Sequence, residues 1–144
     1  RRQRQMCIRD RMELMSCMSH VATPSVKRGE NPNTLRTDLT GLLEKRMDTM
    51  NTAMEDNGYF ILPGGTQISA QLHHARVIAR RAERRLCTLH RQDPVPQSLL
   101  EFINRLSDLF FVMARYEMYR QHWTEEKWKA FGYKRKASTP DQSK

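Results

Sequence analysis

The stretch from Phe60 to Arg91, FILPGGTQISAQLHHARVIARRAERRLCTLHR, limits what this chain can fold into more than any other. After a Pro-Gly-Gly break, Ile68, Leu72, Ala75, Ala79, Ala82, Leu86 and Leu89 recur at alternating spacings of four and three, which is one narrow face of a packed helix. That face is predicted to be core, in a helix capped by Thr66 and closed by Pro94 and Pro96. A second stripe, Arg76, Arg80 and Arg84, recurs every fourth residue, with Glu83 one turn from Arg80 and with Arg81 and Arg85 alongside. Such a row is a candidate seat for a polyanion. Arginine suits phosphate because its planar fork donates two parallel hydrogen bonds and keeps its charge when partly buried.

Composition bounds that polyanion. The chain has 144 residues, enough for one domain with a real core, and carries a formal net charge of +9 with 38% hydrophobic residues. Basicity of this size suits nucleic acid, an anionic membrane surface or a phosphorylated small molecule, and does not choose among them. Cys7, Cys17 and Cys87 are odd in number and far apart, without CxxC or CxxH pairing, so neither a disulfide framework nor a structural metal site is expected and a reducing compartment is. No apolar run approaches the roughly 18 residues of a membrane span, and no signal peptide is apparent, so a secreted protein is not expected.

The rest of the chain reads as further helices. Residues 1–11 (RRQRQMCIRDR) have no clean period and read as a leader outside the fold. A helix end follows over Met12 to Val21 and stops at Pro24, before a polar loop from Ser25 to Arg36. A second helix is predicted from Thr37 or Asp38 to about Asn57, where Asn57-Gly58 supplies a stop, with Leu39, Leu43, Met47, Met50 and Met54 buried. Another begins at Ser98, where Ser98 and Glu101 form a capping box, and runs to about Gln121. Its core face is Leu99, Phe102, Leu106, Leu109 and Met113, and its polar face carries Asn104 and Asp108 one turn apart. Thr124 to Phe131 reads as one more short helix ended by Gly132, and residues 134–144 as a disordered tail. The expected architecture is all-α, an antiparallel bundle of about four to five helices occupying residues 12–133.

Other motifs are weaker. His73 and His74 are adjacent and point apart, so a shared metal is not expected and a surface or interface position is. Gly64-Gly65 before a helix resembles a phosphate-cradling turn but lacks a Walker lysine, and a sharp turn is the simpler reading. Clustered arginines repel one another, which assigns Glu83 and Asp108 the task of orienting and neutralising the row. The opposing reading is a solvated charged face; the apolar shoulder Phe60-Ile61-Leu62 beside the same helix favours a pocket.

FILPGG at 60–65, ARVIARRAERR at 75–85 and NRLSDLFFVMARY at 104–116 resemble, in order and separation, the signature blocks of the ATP:cob(I)alamin adenosyltransferases of the propanediol-utilisation type. The match covers about Glu13 to Tyr116. The resemblance implies a homotrimer with sites at the subunit interfaces, where cob(I)alamin attacks the 5′ carbon of MgATP to give adenosylcobalamin and triphosphate. It assigns Arg80, Glu83 and Arg84 to catalysis and, with Arg81 and Asn104, to ATP binding. Arg76 and Asp108 fall at supporting positions. Phe60 falls at the aromatic residue that closes the lower face of the cobalamin corrin. A mutase or dehydratase that receives the product is a further implied partner; nucleic acid and membrane are not. A bacterial cytoplasm and a mitochondrial matrix fit equally.

The chain departs from the family pattern at its start. The glycine-rich TKTGDxGxT-like segment and the VDELN-like run are absent, so it reads as an N-terminally incomplete member with weak ATP affinity. Two rival classes remain, each with its own test. A basic helical nucleic-acid binder would lose affinity steeply with salt. In a structural or regulatory helical module, Arg80 and Arg84 would make only interface salt bridges.

Overall fold

In the computed structural model, which describes residues 2–54 and 58–128 and the side chains from Arg11 onward, the chain forms α1 (Arg2–Ala22), α2 (Leu39–Ala53), α3 (Gln67–Gln92) and α4 (Gln97–Arg120), with a 3-10 helix over Ser25–Glu30. The punctuation of α3 acts as read. The Thr66 hydroxyl accepts from the Ser69 N–H at 3.2 Å, and the helix gives way at Asp93, just ahead of Pro94. His73 meets Phe111 while Glu83 meets Asn104, so residue order on α4 falls as that on α3 rises and the two helices are antiparallel. Helix α4 is the centre of the bundle, packing on both α3 and α2.

The core gathers around α4. Leu99, Phe102, Ile103, Leu109 and Val112 cluster with Leu39, Leu43 and Met47 of α2, Leu86 of α3 and Cys17 of α1. Each such side chain contributes about 1.5–3 kcal/mol by leaving water. Met50, Met54, Leu106 and Met113 pack on its margin, as their spacing suggested. Burial, and secondarily the charge of Glu13, pushes the Cys17 thiol up to about 11, so it behaves as a small apolar side chain.

Several local expectations are corrected. Helix α1 begins at Arg2 rather than Met12, so the residues read as a leader continue the first helix. Helix α2 ends at Ala53, short of Asn57, which lies outside the described residues. Asp38 holds the N-cap position of α2, but its carboxylate turns to Arg36, at 2.9 and 2.5 Å, instead of capping. The Ser98 capping box does not form: the Pro96 carbonyl receives the N–H groups of Leu99 and Leu100, which starts α4 at Gln97, and Glu101 accepts from the Gln97 side chain.

The face of α3 is corrected in part. Of the predicted face, Ala79 and Leu86 are buried and Leu72, Ala75 and Leu89 half-buried, but Ile68 is 49% exposed and Ala82 is exposed, while Ser69 and His73 are buried instead. The buried face is widened on one side of the apolar stripe rather than replaced. A polar stripe of Ser69, His73, half-buried Arg76 and Glu83 thus faces inward. The segment after α4 differs too. The predicted helix from Thr124 is not formed through Trp128, because the backbone of this stretch bonds to the Phe60 loop instead: Leu62 N–H donates to the Glu126 carbonyl at 2.7 Å and Trp128 N–H to the Phe60 carbonyl at 2.8 Å. Residues 129–144, including the predicted tail, lie outside the described residues.

Candidate active site

Glu83 is the junction of the polar face. One carboxylate oxygen accepts from Arg80 Nη1 at 2.5 Å, within α3, and the other accepts from Asn104 Nδ2 at 2.7 Å, across from α4. The Glu83 side chain is 16% exposed and that of Arg80 49%, so the carboxylate is fixed from both sides while the guanidinium still faces solvent. Asn104 is itself set by a tight turn of α4, where buried Ser107 donates to its carbonyl at 2.8 Å. Helical spacing alone places Arg84 one turn beyond Arg80, exposed, with Arg81 and Arg85 exposed beside it.

Asp108 does not join this group. Its carboxylate pairs with Arg105 at 3.2 Å, and Arg105 in turn pairs with Glu44 of α2 at 3.0 Å. The counter-charge for the arginine row is therefore Glu83, and Asp108 belongs to an exposed α2–α4 network. Arg76 lies on the inward side of α3, with Nε buried and without a hydrogen-bond partner.

His73 is buried rather than on the surface, its ring edge-on to Phe111 with centroids 6.1 Å apart; His74 is exposed. Burial first, then the charge of Arg76, lowers the His73 pKa below its ordinary 6.5, with Glu125 opposing both. A depressed histidine pKa means that the unfolded chain takes up the proton first. Stability is therefore full above about pH 6.5 and drains as pH falls toward the folded-state value. Thermal unfolding followed from about pH 7.5 to about pH 5.5 is expected to show a falling Tm, with a shallower slope in His73→Gln. Equal slopes in the two proteins would remove His73 from this account.

Phe60 lies on the apolar shoulder at the other end of α3. It is 61% exposed, and Leu62 beside it 46%. The following Gly64 and Gly65 take φ of 138° and 86°, values that favour glycine, and turn the chain sharply into α3. Gly65 also sits against the Met118 thioether of α4. Thirteen residues of helix rise separate Gln67 from Arg80, roughly 20 Å. Within one chain, the aromatic shoulder and the Arg80–Glu83–Asn104 group thus occupy different levels of the bundle.

The pair Arg115–Glu125 was missed in the sequence. Arg115 Nε donates to one Glu125 oxygen at 2.9 Å and Nη2 to the other at 3.2 Å, with side chains only 14% and 17% exposed. Nothing in their spacing announces the pair, because the chain must first reverse after α4 to bring them together. Among the described residues no group of three or more His, Cys, Asp or Glu is placed to hold a metal ion, and no helix is long and apolar enough to cross a membrane.

A family model for cobalamin adenosyltransferase matches residues 2–117. A corrinoid adenosyltransferase of Bacillus subtilis is 36% identical over 103 residues, covering 72% of this chain and 52% of the relative. One of Mycobacterium leprae is 40% identical over 110 residues, covering 72% of this chain and 57% of the relative. The chain thus spans about half the length of these relatives. A solved phenylalanine-to-histidine variant of a PduO-type ATP:corrinoid adenosyltransferase from Lactobacillus reuteri, complexed with cobalamin and ATP, superposes with a TM-score of 0.81 at 34% identity over 88% of this chain and 68% of that one. By the extent of the family match, supported by this likeness in sequence and fold, the chain belongs to the cobalamin adenosyltransferase family.

Proposed function

We propose that this chain is the helical part of an ATP:corrinoid adenosyltransferase, which moves the 5′-deoxyadenosyl group of ATP to cob(I)alamin. The observation that carries the reading is Glu83, on the inner side of α3, held between Asn104 and Arg80 of the outward-facing arginine row. In the transfer, the cobalt electron pair forms the Co–C bond at the 5′ carbon as the C–O bond breaks, and triphosphate departs with the C–O bonding pair. Arg80, Arg81 and Arg84 supply positive charge where the leaving group gathers negative charge. Glu83 sets the direction of Arg80, and Asn104 adds a neutral anchor from the facing helix. Magnesium would arrive with the substrate as MgATP and would share with the arginines the neutralising of the triphosphate charge.

Phe60 takes the lower face of the corrin in this reading. An apolar ring there excludes water and an axial donor from the cobalt, which favours the reduced, nucleophilic state. The distance along α3 between Phe60 and Arg80 fits a site assembled by more than one subunit, and the exposed Ile68, Val77 and Ile78 supply apolar surface for a homotrimer. A B12-dependent mutase or dehydratase would consume the product, in a bacterial cytoplasm or a mitochondrial matrix.

The test is anaerobic titration of cob(II)alamin with the chain, with and without MgATP. Appearance of the four-coordinate absorption band, and its loss in Phe60→Ala, is expected. An unchanged spectrum in the wild-type protein at saturating MgATP would remove the corrin from the reading. Polyanion binding that falls steeply with salt would then point the arginine row to nucleic acid.

A further inference from the structure

Phe60 presents a problem of support: a ring 61% exposed gains little from burial that would fix its direction. Its support comes from the chain beyond α4. His122 adopts a left-handed φ of 52° and Trp123 N–H returns to the Met118 carbonyl at 3.0 Å, which ends α4 and sends the chain back along it. The returning strap brings Glu125 against Arg115, in the two-pronged arrangement that the guanidinium fork favours. Immediately afterwards the strap pairs with the Phe60 loop through the Leu62–Glu126 and Trp128–Phe60 backbone bonds. The Trp128 ring stands edge-on to Phe60 at 6.4 Å and 71°, and Lys127 Nζ lies 4.6 Å from the centroid of Tyr59.

Two isolated backbone bonds do not hold a pair of strands together in water; such a ladder needs an anchor to a packed body. On the described strap, the shielded Arg115–Glu125 pair is that anchor, one residue before the ladder begins. We propose that Arg115 and Glu125 are positioning residues for Phe60: their ion pair fastens the strap to α4, and the strap holds the loop that presents the ring. What the ring then touches rests on the adenosyltransferase reading above. Glu83 and Asn104 are not part of this linkage, so the nucleotide side should be insensitive to it.

Hydrogen exchange on the full chain separates the two ideas. In Glu125→Gln and in Arg115→Gln, the Leu62 and Trp128 amides are expected to exchange at least about tenfold faster, while those of Ala79 and Leu86 in α3 stay within about twofold of wild type. The exchanged pair, Arg115→Glu with Glu125→Arg, is expected to recover part of the protection. Should Arg115→Gln disturb α4 itself, Glu125→Gln, whose altered side chain lies on the strap, decides, with the Ala79 and Leu86 amides reporting any change carried to α3 through His73. Continued protection of Leu62 and Trp128 in Glu125→Gln would overturn the proposal.

The spectroscopic arm uses cob(II)alamin and MgATP. Both single variants are expected to lose most of the four-coordinate band while nucleotide affinity stays within about twofold of wild type. A loosened strap with a wild-type band would show that the pair does not position Phe60, and would also overturn the proposal. If wild type itself gives no band, the corrin reading fails, and the exchange data alone decide whether the pair holds the Phe60 loop.

Discussion

Glu83→Lys is expected to lower the unfolding free energy by about 3 kcal/mol and to abolish nucleotide binding by the chain. The carboxylate is shielded on the inner side of α3 and both its oxygens are used. An ammonium in its place leaves the Asn104 amide without its acceptor between two helices, and adds a cation where Arg80 has just lost its counter-charge. Glu83→Gln separates these effects. It keeps a carbonyl for Asn104 and gives up only the charge opposite Arg80, whose side chain is half exposed and screened by water. Its cost should therefore be no more than about 1 kcal/mol. Urea unfolding of the three proteins, with the slope checked for constancy, measures both numbers. A Glu83→Lys midpoint indistinguishable from wild type would mean that the bridge between α3 and α4 contributes no stability, and undiminished ATP binding would detach Glu83 from the site.

What could be read in the sequence follows how local each determinant is. The course of α3 was legible because its signals sit within it: Thr66 can reach the Ser69 N–H wherever the rest of the chain lies, and Pro94 cannot continue a helix. The apolar side of α3 was legible through Ala79 and Leu86, but the polar residues buried beside it were not. Choosing the apolar face is the best local guess, but Glu83 is drawn inward by Asn104, and His73 lies against Phe111, both on another helix. The same distinction explains Asp108. Placed one turn from Asn104, it looked available to the arginine row, but Arg105 on its own helix and Glu44 on α2 already form a network with it. Thr124 to Trp128 has no proline or glycine to forbid a helix, and only the distant Phe60 loop gives its backbone a different partner. Sites built from such cross-element contacts are where one-dimensional periodicity stops being informative.

The second large effect is expected at Gly65, where Gly65→Ala should cost about 3 kcal/mol, combining left-handed strain with overpacking. Its φ of 86° is unfavourable for any side chain, and a Cβ built there falls inside the contact distance of the Met118 Sδ and Cε atoms. Met118 is itself buried, at 6% exposure, so its thioether has little room to retreat. Gly64→Ala, at a φ of 138° and with nothing within 4 Å of the added atom, reports backbone strain without a collision. The two φ values carry different strain, so the collision with α4 is isolated by a double substitution. Met118→Ala in the Gly65→Ala background then gives it a sign: truncating the thioether should recover about 1–2 kcal/mol relative to the sum of the single changes. Simple additivity would mean that backbone strain alone makes Gly65 necessary. Positive coupling would mean that the turn is pressed against the end of α4, the same end from which the strap returns to hold Phe60. The Phe60 loop would then be fixed on both sides of its aromatic ring, by close packing at Gly65 and by backbone pairing at Trp128.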